Sequence, residues 1–416
     1  MRIVHFSDVH IGVENYSRID PKTGFSTRLL DFLNSFDQVI DYSINTNVDL
    51  VVFCGDAYKN RDPSQTHQRE FAKRIALLSN KGIPTVLIVG NHDVPLVANK
   101  ASALDIYSTL DIPNIYIGNT LKTHLITTPA GPIQILALPW IRRSNYLAKN
   151  DKAPLTPEEI NFAIQESLTR AIQNEVKLLD KSIPTILAGH ITIGEAKTSS
   201  EISMMLGSDY LLLKSQIALP DFDYVALGHI HRHQILEESP PVVYSGSLER
   251  IDFGEENDKK GFCLVTIDPS QKQGKRIKSL EFKNVNARKF LTIPITISET
   301  SSNPIEDILS NVLNFTTEDS IVRIKIKAPQ KFSGLLTENL IRKSITNIYY
   351  LAQISIEYTH EKLIHKETNE TSSNDPIGLL KVFLKNQDTD PQKTQTLIAV
   401  SYTHLRAHET DSYLVC

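Results

Sequence analysis

Between Ile3 and His231, five apolar, strand-like runs each end in a short polar cluster. The clusters are Asp8-Val9-His10, Gly55-Asp56, Gly90-Asn91-His92-Asp93, Gly189-His190 and Gly228-His229-Ile230-His231. One such cluster carries little weight. A lone Gly-Asp reads first as a turn that caps the next helix, and a lone His beside an apolar strand reads as a hydrogen-bonded core residue. Five in this order are hard to place without one shared site. Together they hold Asp, Asn and His in the proportions that a pair of divalent cations requires.

The runs alternate with helical spacing. Ile3 to Phe6, Leu50 to Cys54 and Thr85 to Val89 read as buried strands. Between them, Leu29 to Asn45 and Arg69 to Asn80 carry apolar residues at helix period. Ile133 to Leu138, Thr185 to Ala188 and Tyr224 to Leu227 add strands. Pro157 to Leu179 adds a helix, with Thr156 as its N-cap. This order predicts a layered α/β domain. From Val242 the pattern changes to consecutive strands: Val242 to Tyr244, Phe262 to Ile267 and Ile277 to Phe282. Glu255 to Lys260 is expected to join the first two as a turn. Near Ala287 a small αβ unit begins, read as strand, helix, strand, helix and strand over Phe290 to Ile297, Pro304 to Leu313, Ile321 to Ile326, Leu335 to Ser344 and Ile348 to Glu357. The polar stretch Glu367 to Asn374 reads as a linker, and Ile377 to Asn386 as an amphipathic helix. No internal repeat is visible. Ser401 to Cys416 resembles translated sequencing adapter, so the natural chain is expected to run on past Val400. A disordered tail is the alternative, and His404, His408 and Cys416 carry no functional weight.

The chain has 416 residues, 41% hydrophobic and 22% charged, with net charge −4. No global basic field points to nucleic acid, although a local one remains open. Cys54, Cys263 and Cys416 form neither a disulfide framework nor a zinc spacing. A reducing, cytoplasmic location is therefore expected. No leader peptide and no run of about 20 apolar residues is visible, so a soluble protein without a membrane partner is expected.

The clusters carry specific chemistry. In an extended segment, residues i and i+2 point to one side, so Asp8 and His10 can converge on one cation, and His229 and His231 share one side. Asp56 has two oxygens and can bridge two cations. Asn91 is a neutral ligand. His92, next to it, is expected to face the substrate, with Asp93 holding its imidazole in one tautomer. Gly189 and Gly228 leave room for close backbone approach. His233 continues the alternation but is read as outside the ligand set. Carboxylate, amide and imidazole without thiolate suit manganese or iron. Two such ions clamp the attacking and departing oxygens of an in-line displacement at phosphorus.

Taken together, the pattern D-x-H, G-D, G-N-H-D, G-H, G-H-x-H over about Met1 to Glu255 resembles the calcineurin-like metallophosphoesterase family. Ile3-Val4-His5-Phe6-Ser7-Asp8-Val9-His10-Ile11-Gly12, Gly55-Asp56-Ala57-Tyr58 with Arg61-Asp62-Pro63, and Tyr244 to Glu255 are most similar to its double-strand-break repair nucleases. The resemblance implies a four-layer α/β/β/α sandwich over residues 1–285. A small αβ DNA-capping domain is implied over 286–365, then a linker and the start of ATPase-docking helices over 366–400. It implies that Asp8, His10, Asp56 and His231 hold one metal, and that Asp56, Asn91, His190 and His229 hold the other, most simply Mn2+. His92 becomes the catalytic histidine and Asp93 its orienting partner. Implied partners are DNA ends or hairpins, an SbcC-type coiled-coil ATPase and a second copy of the chain. Val94, Leu96, Val97, Ala103, Leu104 and Ile106 fit either a dimer face or a buried helix. Some relatives carry a second histidine shortly after the bridging Asp. Lys59 stands at that point here, which leaves the balance of exonuclease and endonuclease activity open. Arg61 and Arg250 are the first DNA-contact candidates, followed by Arg142, Arg143, Lys272, Lys275, Arg276 and Lys278. Rival readings are a phosphatase or cyclic-nucleotide phosphodiesterase of the same superfamily, and a non-catalytic scaffold.

Overall fold

A computed structural model describes residues 1–95, 100–141, 156–198, 210–359, 376–386, 390 and 392–401. Leu96, Val97, Arg142, Arg143, the linker Glu367 to Asn374 and residues 402–416 lie outside the described residues. The chain divides into two compact units, Met1–Tyr358 and Thr359–Cys416.

In the first unit, two six-stranded sheets form the body. The first has the spatial order Ile277–Asn284, Gly261–Ile267, Arg2–Phe6, Leu50–Phe53, Thr85–Ile88, Ile115–Gly118. The second has the order Gln234–Glu238, Pro241–Tyr244, Tyr224–Gly228, Thr185–His190, Gly131–Leu138, Lys122–Thr128. The period-2 alternation of each strand sorts its side chains into two cores. Val4, Phe6, Val51, Phe53 and Leu87 face the helices Thr27–Asn45 and Gln65–Asn80, meeting Leu29, Leu33, Phe36, Phe71 and Ile75. Their neighbours Ile3, Leu50, Val52, Val86 and Ile88 face the other sheet, meeting Ile135, Ile186, Ala188, Ala226 and Val243. On the far side, Leu136, Leu187 and Val225 pack on Ile164, Leu168 and Ile172 of the helix Pro157–Val176. The result is the expected four-layer α/β/β/α sandwich. Each fully buried aliphatic side chain contributes roughly 1.5–3 kcal/mol, so all three cores add to stability. Thr156 caps its helix as expected, accepting from the Glu159 N–H in a capping box with Pro157 behind it.

The central strands of each sheet run parallel. Their carboxyl ends therefore open on one edge, the usual place for a site in such sheets. The two edges are stitched together, since Ser7 bridges to Ser247 and the His229 N–H donates to Asp8.

Two expectations need correction. Glu255 to Lys260 does not close a hairpin, because Pro241–Tyr244 belongs to the second sheet and Gly261–Ile267 to the first. The segment between them crosses the edge of the sandwich and buries Glu249, Glu255, Asp258 and Lys260. The second correction concerns basic residues at the turn between Gly261–Ile267 and Ile277–Asn284. Register places Arg2 against Thr266, so this turn lies beyond the amino end of Arg2–Phe6, opposite the polar clusters. Five residues of strand separate the two ends by about 17 Å. Lys272, Lys275, Arg276 and Lys278 are thus far from the site. Arg276 is also buried, paired with Asp223 at 3.1 Å.

The strands Lys289–Thr296, Ser320–Pro329 and Tyr350–Thr359 form a separate three-stranded sheet. Ile293, Ile295, Val322, Ile324 and Ile326 pack there on Ile308 and Val312 of the helix Pro304–Leu313, and on Ile341 of Glu338–Ser344. Of the apolar residues after Asp93, Leu104 is buried, Val94 and Ala103 pack against the first core, and Ile106 is exposed. The second unit contains the helices Pro376–Asn386 and 392–401. Among the described residues, no helix is long and apolar enough to cross a membrane.

Candidate metal centre

Strand ends bring the five clusters to one place, but not through extended backbone. Arg2–Phe6 ends before Asp8, and Asp8 and His10 have φ of 53° and 48°. Asp56 and His229 follow at 61° and 98°. Side chains other than glycine avoid this left-handed region at a cost of about 1–2 kcal/mol per residue. The i, i+2 argument thus fails for Asp8 and His10, although the two side chains do converge. Coiled turns after each strand aim them, and four of the nine described non-glycine residues with positive φ stand at the site.

A continuous set of short separations links the expected ligands. His10 Nε2 lies 3.7 Å from Asp8 Oδ1, 3.7 Å from Asp56 Oδ2 and 3.0 Å from His231 Nε2. His190 Nε2 lies 3.4 Å from Asp56 Oδ2 and 2.9 Å from Asn91 Oδ1. His229 Nδ1 lies 3.2 Å from the same Asn91 oxygen. Donors about 2.1 Å from a shared cation sit about 3.0–3.5 Å from one another; the separations of 3.0, 3.2 and 3.4 Å fall in that range, and those of 2.9 and 3.7 Å lie just outside it. Asp8, His10 and His231 form one metal-competent group, Asp56, His190 and His229 another, and Asp56 also groups with His10 and His92. All seven of Asp8, His10, Asp56, Asn91, His190, His229 and His231 are buried.

The donor chemistry fits cations. His231 Nδ1 donates to Glu255 Oε1 at 2.7 Å, which leaves the Nε2 lone pair facing His10. His10 Nδ1 is buried with no hydrogen-bond partner. With its proton on Nδ1, His10 opposes two lone pairs at 3.0 Å. With the proton on Nε2, it strands a buried acceptor. A cation between the rings removes the first conflict. Burial holds His10 and His229 well below the usual histidine range, as unprotonated ligands require. Burial alone would lower His190 too, but the Asp56 and Asp8 carboxylates raise it to about 9. Its Nδ1 donates to the Cys54 carbonyl at 2.7 Å, so Nε2 is the position a cation would take from a proton. Burial tends to raise Asp56, but His190 and His92 bring it well below the carboxylate range, so it is anionic.

His92 is half-buried at the opening. Its Nδ1 donates to the Lys59 carbonyl at 2.7 Å, and its backbone N–H donates to Asp56 Oδ1. The expected Asp93–His92 contact is not made. Asp93 instead accepts from the backbone N–H groups of Asp56, Ala57 and Gly90 at 2.8–2.9 Å. It joins two ligand loops, because three convergent amides offer a buried carboxylate more than one imidazole does. Burial and Asp56 nevertheless raise Asp93 to about 7.

Gly228 fulfils its expected role, since a Cβ there would collide with the Cys54 carbonyl and Ser7. Gly189 does not need to be glycine as strictly, its nearest neighbour to such a Cβ being 3.4 Å away. Arg250 is not poised for DNA. Its guanidinium donates to the carbonyls of Glu255, Arg288 and Asp258. Arg61 stays near the site, half-buried, with Nε donating to the Asn91 carbonyl at 2.9 Å. His233 lies outside the ligand set, stacked on Phe282.

Two contributors went unassigned in the sequence. Trp140 follows the strand Gly131–Leu138 and places its ring 5.1 Å from His229 and 6.2 Å from His190. It is the chain's sole tryptophan, at a sixth strand end, and that placement was a readable signal. Glu255, far from His231 in sequence, gave none.

Fold and site define a binuclear-metal phosphoesterase. Residues 1–233 match the calcineurin-like phosphoesterase family, and the chain belongs to it. That family uses a dimetal centre. Among solved structures, the chain is similar to TT1561 of Thermus thermophilus at 16% identity, covering 68% of this chain and 98% of that one, with a TM-score of 0.37. It is similar to a dimetal phosphatase from Danio rerio at 9% identity, with coverage of 64% and 92% and a TM-score of 0.37. A purple acid phosphatase from yellow lupin (Lupinus luteus) seeds aligns at 13% identity, with coverage of 68% and 53% and the same TM-score.

Proposed function

We propose that this chain is an SbcD-like, manganese-dependent DNA nuclease that works with an SbcC-type ATPase, in the cytoplasm, on double-strand ends and hairpins. The observation that carries the reading is that the small αβ unit packs on the loops that lead to the metal centre. Tyr16, six residues past His10, makes edge contacts with Phe253, Phe290 and Tyr350, its ring 5.7–6.2 Å from theirs. Phe253 stands two residues before Glu255, which holds His231. A second folded unit packed on the loops that carry these residues suits a long polymeric diester better than a small one. We read residues 286–365 as its capping domain, the helix Pro376–Asn386 as the start of the ATPase-docking region, and a second copy of the chain as its partner.

Bound divalent cations supply Lewis acidity toward the phosphoryl oxygens and lower the pKa of water. Asp8, His10, Asp56 and His231 would hold one, and Asp56, Asn91, His190 and His229 the other. Burial keeps His92 neutral in the free protein. An anionic diester beside it favours the imidazolium, whose Nε2 proton then goes to the leaving oxygen.

The test is Mn2+-dependent cleavage of linear duplex DNA, with and without an SbcC-type ATPase and ATP. Degradation from the ends supports the proposal. Turnover of a small aryl phosphodiester with intact DNA left behind would transfer it to the phosphatase or phosphodiesterase reading.

A further inference from the structure

The segment that crosses the sandwich carries two consecutive glutamates facing opposite ways. Glu255 points inward. Its Oε1 accepts from His231 Nδ1 at 2.7 Å, and its Oε2 pairs with Lys260 Nζ at 2.7 Å, all three residues being buried. Lys260 closes the ring by donating to the His231 carbonyl at 3.2 Å and to Ser247 Oγ at 2.8 Å. Glu256 points outward. Its carboxylate accepts from the Thr292 N–H at 2.7 Å and from Thr292 Oγ1 at 2.5 Å, on the first strand of the small αβ sheet. Arg323 of the central small-sheet strand donates to Thr292 Oγ1 at 2.9 Å and lies 4.3 Å over the Phe253 ring.

We propose that Glu255 and Glu256 are positioning residues that tie the metal ligand His231 to the small αβ unit, so that docking of this unit sets the affinity of the centre for the cation His231 holds. The inference rests on the metal-centre reading above. The geometry makes the effect one-sided. His10 and His231 lie on loops that reach the small unit through Tyr16 and through Phe253 to Glu256. Asn91, His190 and His229 instead adjoin one another and, through the two histidine rings, Trp140. A shift of the small sheet therefore displaces Glu255 against His231 first, while His229, two residues away on the same loop, is held by Asn91 and by its N–H to Asp8. A carboxylate behind a metal-bound imidazole fixes the ring's orientation and raises its basicity.

The test is calorimetric titration of Mn2+ into the metal-free full-length chain, read beside the electron paramagnetic resonance signature of the bound ions. Glu255→Gln should weaken one of two ions about 10–100-fold. Glu256→Ala, remote from every ligand, should weaken the same ion about 5-fold or more, with the other unchanged. Thr292→Val should act in the same direction and add less than its full effect in the double variant, because Glu256→Ala already removes the hydroxyl bond that Thr292→Val deletes. Should Glu255→Gln fail to fold, the Glu256 and Thr292 variants carry the test alone. Two ions in the parent and unchanged binding in Glu256→Ala overturn this inference and leave the metal centre standing, as does equal weakening of both ions. A parent that binds no pair of ions overturns both.

Discussion

At the residue scale, the ligands are held by backbone and carboxylate partners chosen for direction. His190 is the clearest case, with Nδ1 tied to a carbonyl and Nε2 turned to Asp56. Its pKa of about 9 in the metal-free centre has a measurable consequence. Below that pH the ring carries a proton which a cation must displace, so loading releases a proton and affinity rises with pH until about 9. Calorimetry at neutral pH in buffers of differing ionisation enthalpy should show that release, and a pH-independent affinity between about 7 and 9 would contradict it. His92 is different: it groups with His10 and Asp56 but stands outside the seven candidate ligands. His92→Ala should keep both ions and lose about 10²–10⁴-fold in hydrolysis. Retained turnover would remove His92 from the reaction. Asp56→Asn should loosen both ions together, because Asp56 groups with His10 on one side and with His190 and His229 on the other. All seven candidate ligands were readable in the sequence because each stands at or just past the end of a strand whose apolar run announces it. Partners were not. Asp93 took the Asp56 and Ala57 N–H groups besides that of Gly90, and Arg250 the Arg288 carbonyl besides those of Glu255 and Asp258, and spacing alone does not report such choices.

Elements explain why the clusters meet. The parallel centres of both sheets end on one edge, and close approach between those ends depends on missing side chains. Gly228 packs against the Cys54 carbonyl across the two sheets. Gly228→Ala forces them apart and should cost about 3 kcal/mol, lowering the denaturation midpoint and metal affinity together. A variant as stable as the parent would show that the sheet edges have slack. The central strands and long helices were legible from period alone, and Pro304–Leu313 matched residue for residue. The strands Ile115–Gly118, Lys122–Thr128 and Gln234–Glu238 were missed. The last buries no residue fully, and Lys122–Thr128 buries only Ile126 and Thr128. All three lie at sheet edges, where one flank and much of each face meet water, so their sequences lack the apolar run that marks a central strand.

Across the whole first unit, the sandwich and the small sheet meet through buried charge as well as aromatic contact. Arg288 leads into the small sheet. Its Nη2 binds Asp31 at 2.6 Å, its guanidinium lies 4.0 Å over the Tyr349 ring, and its backbone N–H donates to Glu249 Oε2 at 3.0 Å. Arg28 is wholly buried beside it, pairing with Asp31 at 2.9 Å and donating to the Arg250 carbonyl. Removing Arg288 leaves Asp31 still paired with Arg28, so the cost should stay below that of orphaning a buried charge, at about 2 kcal/mol. That cost falls on the junction, not on the central core. Arg288→Ala should therefore speed amide exchange in Lys289–Thr296 about 10-fold or more while exchange in Arg2–Phe6 stays as in the parent. Arg288→Lys restores the charge but not the planar fork, so it should recover only part of the protection. Equal loss of protection in both strands would mean that the small sheet and the sandwich unfold as one body, with no independent docking for the metal centre to sense.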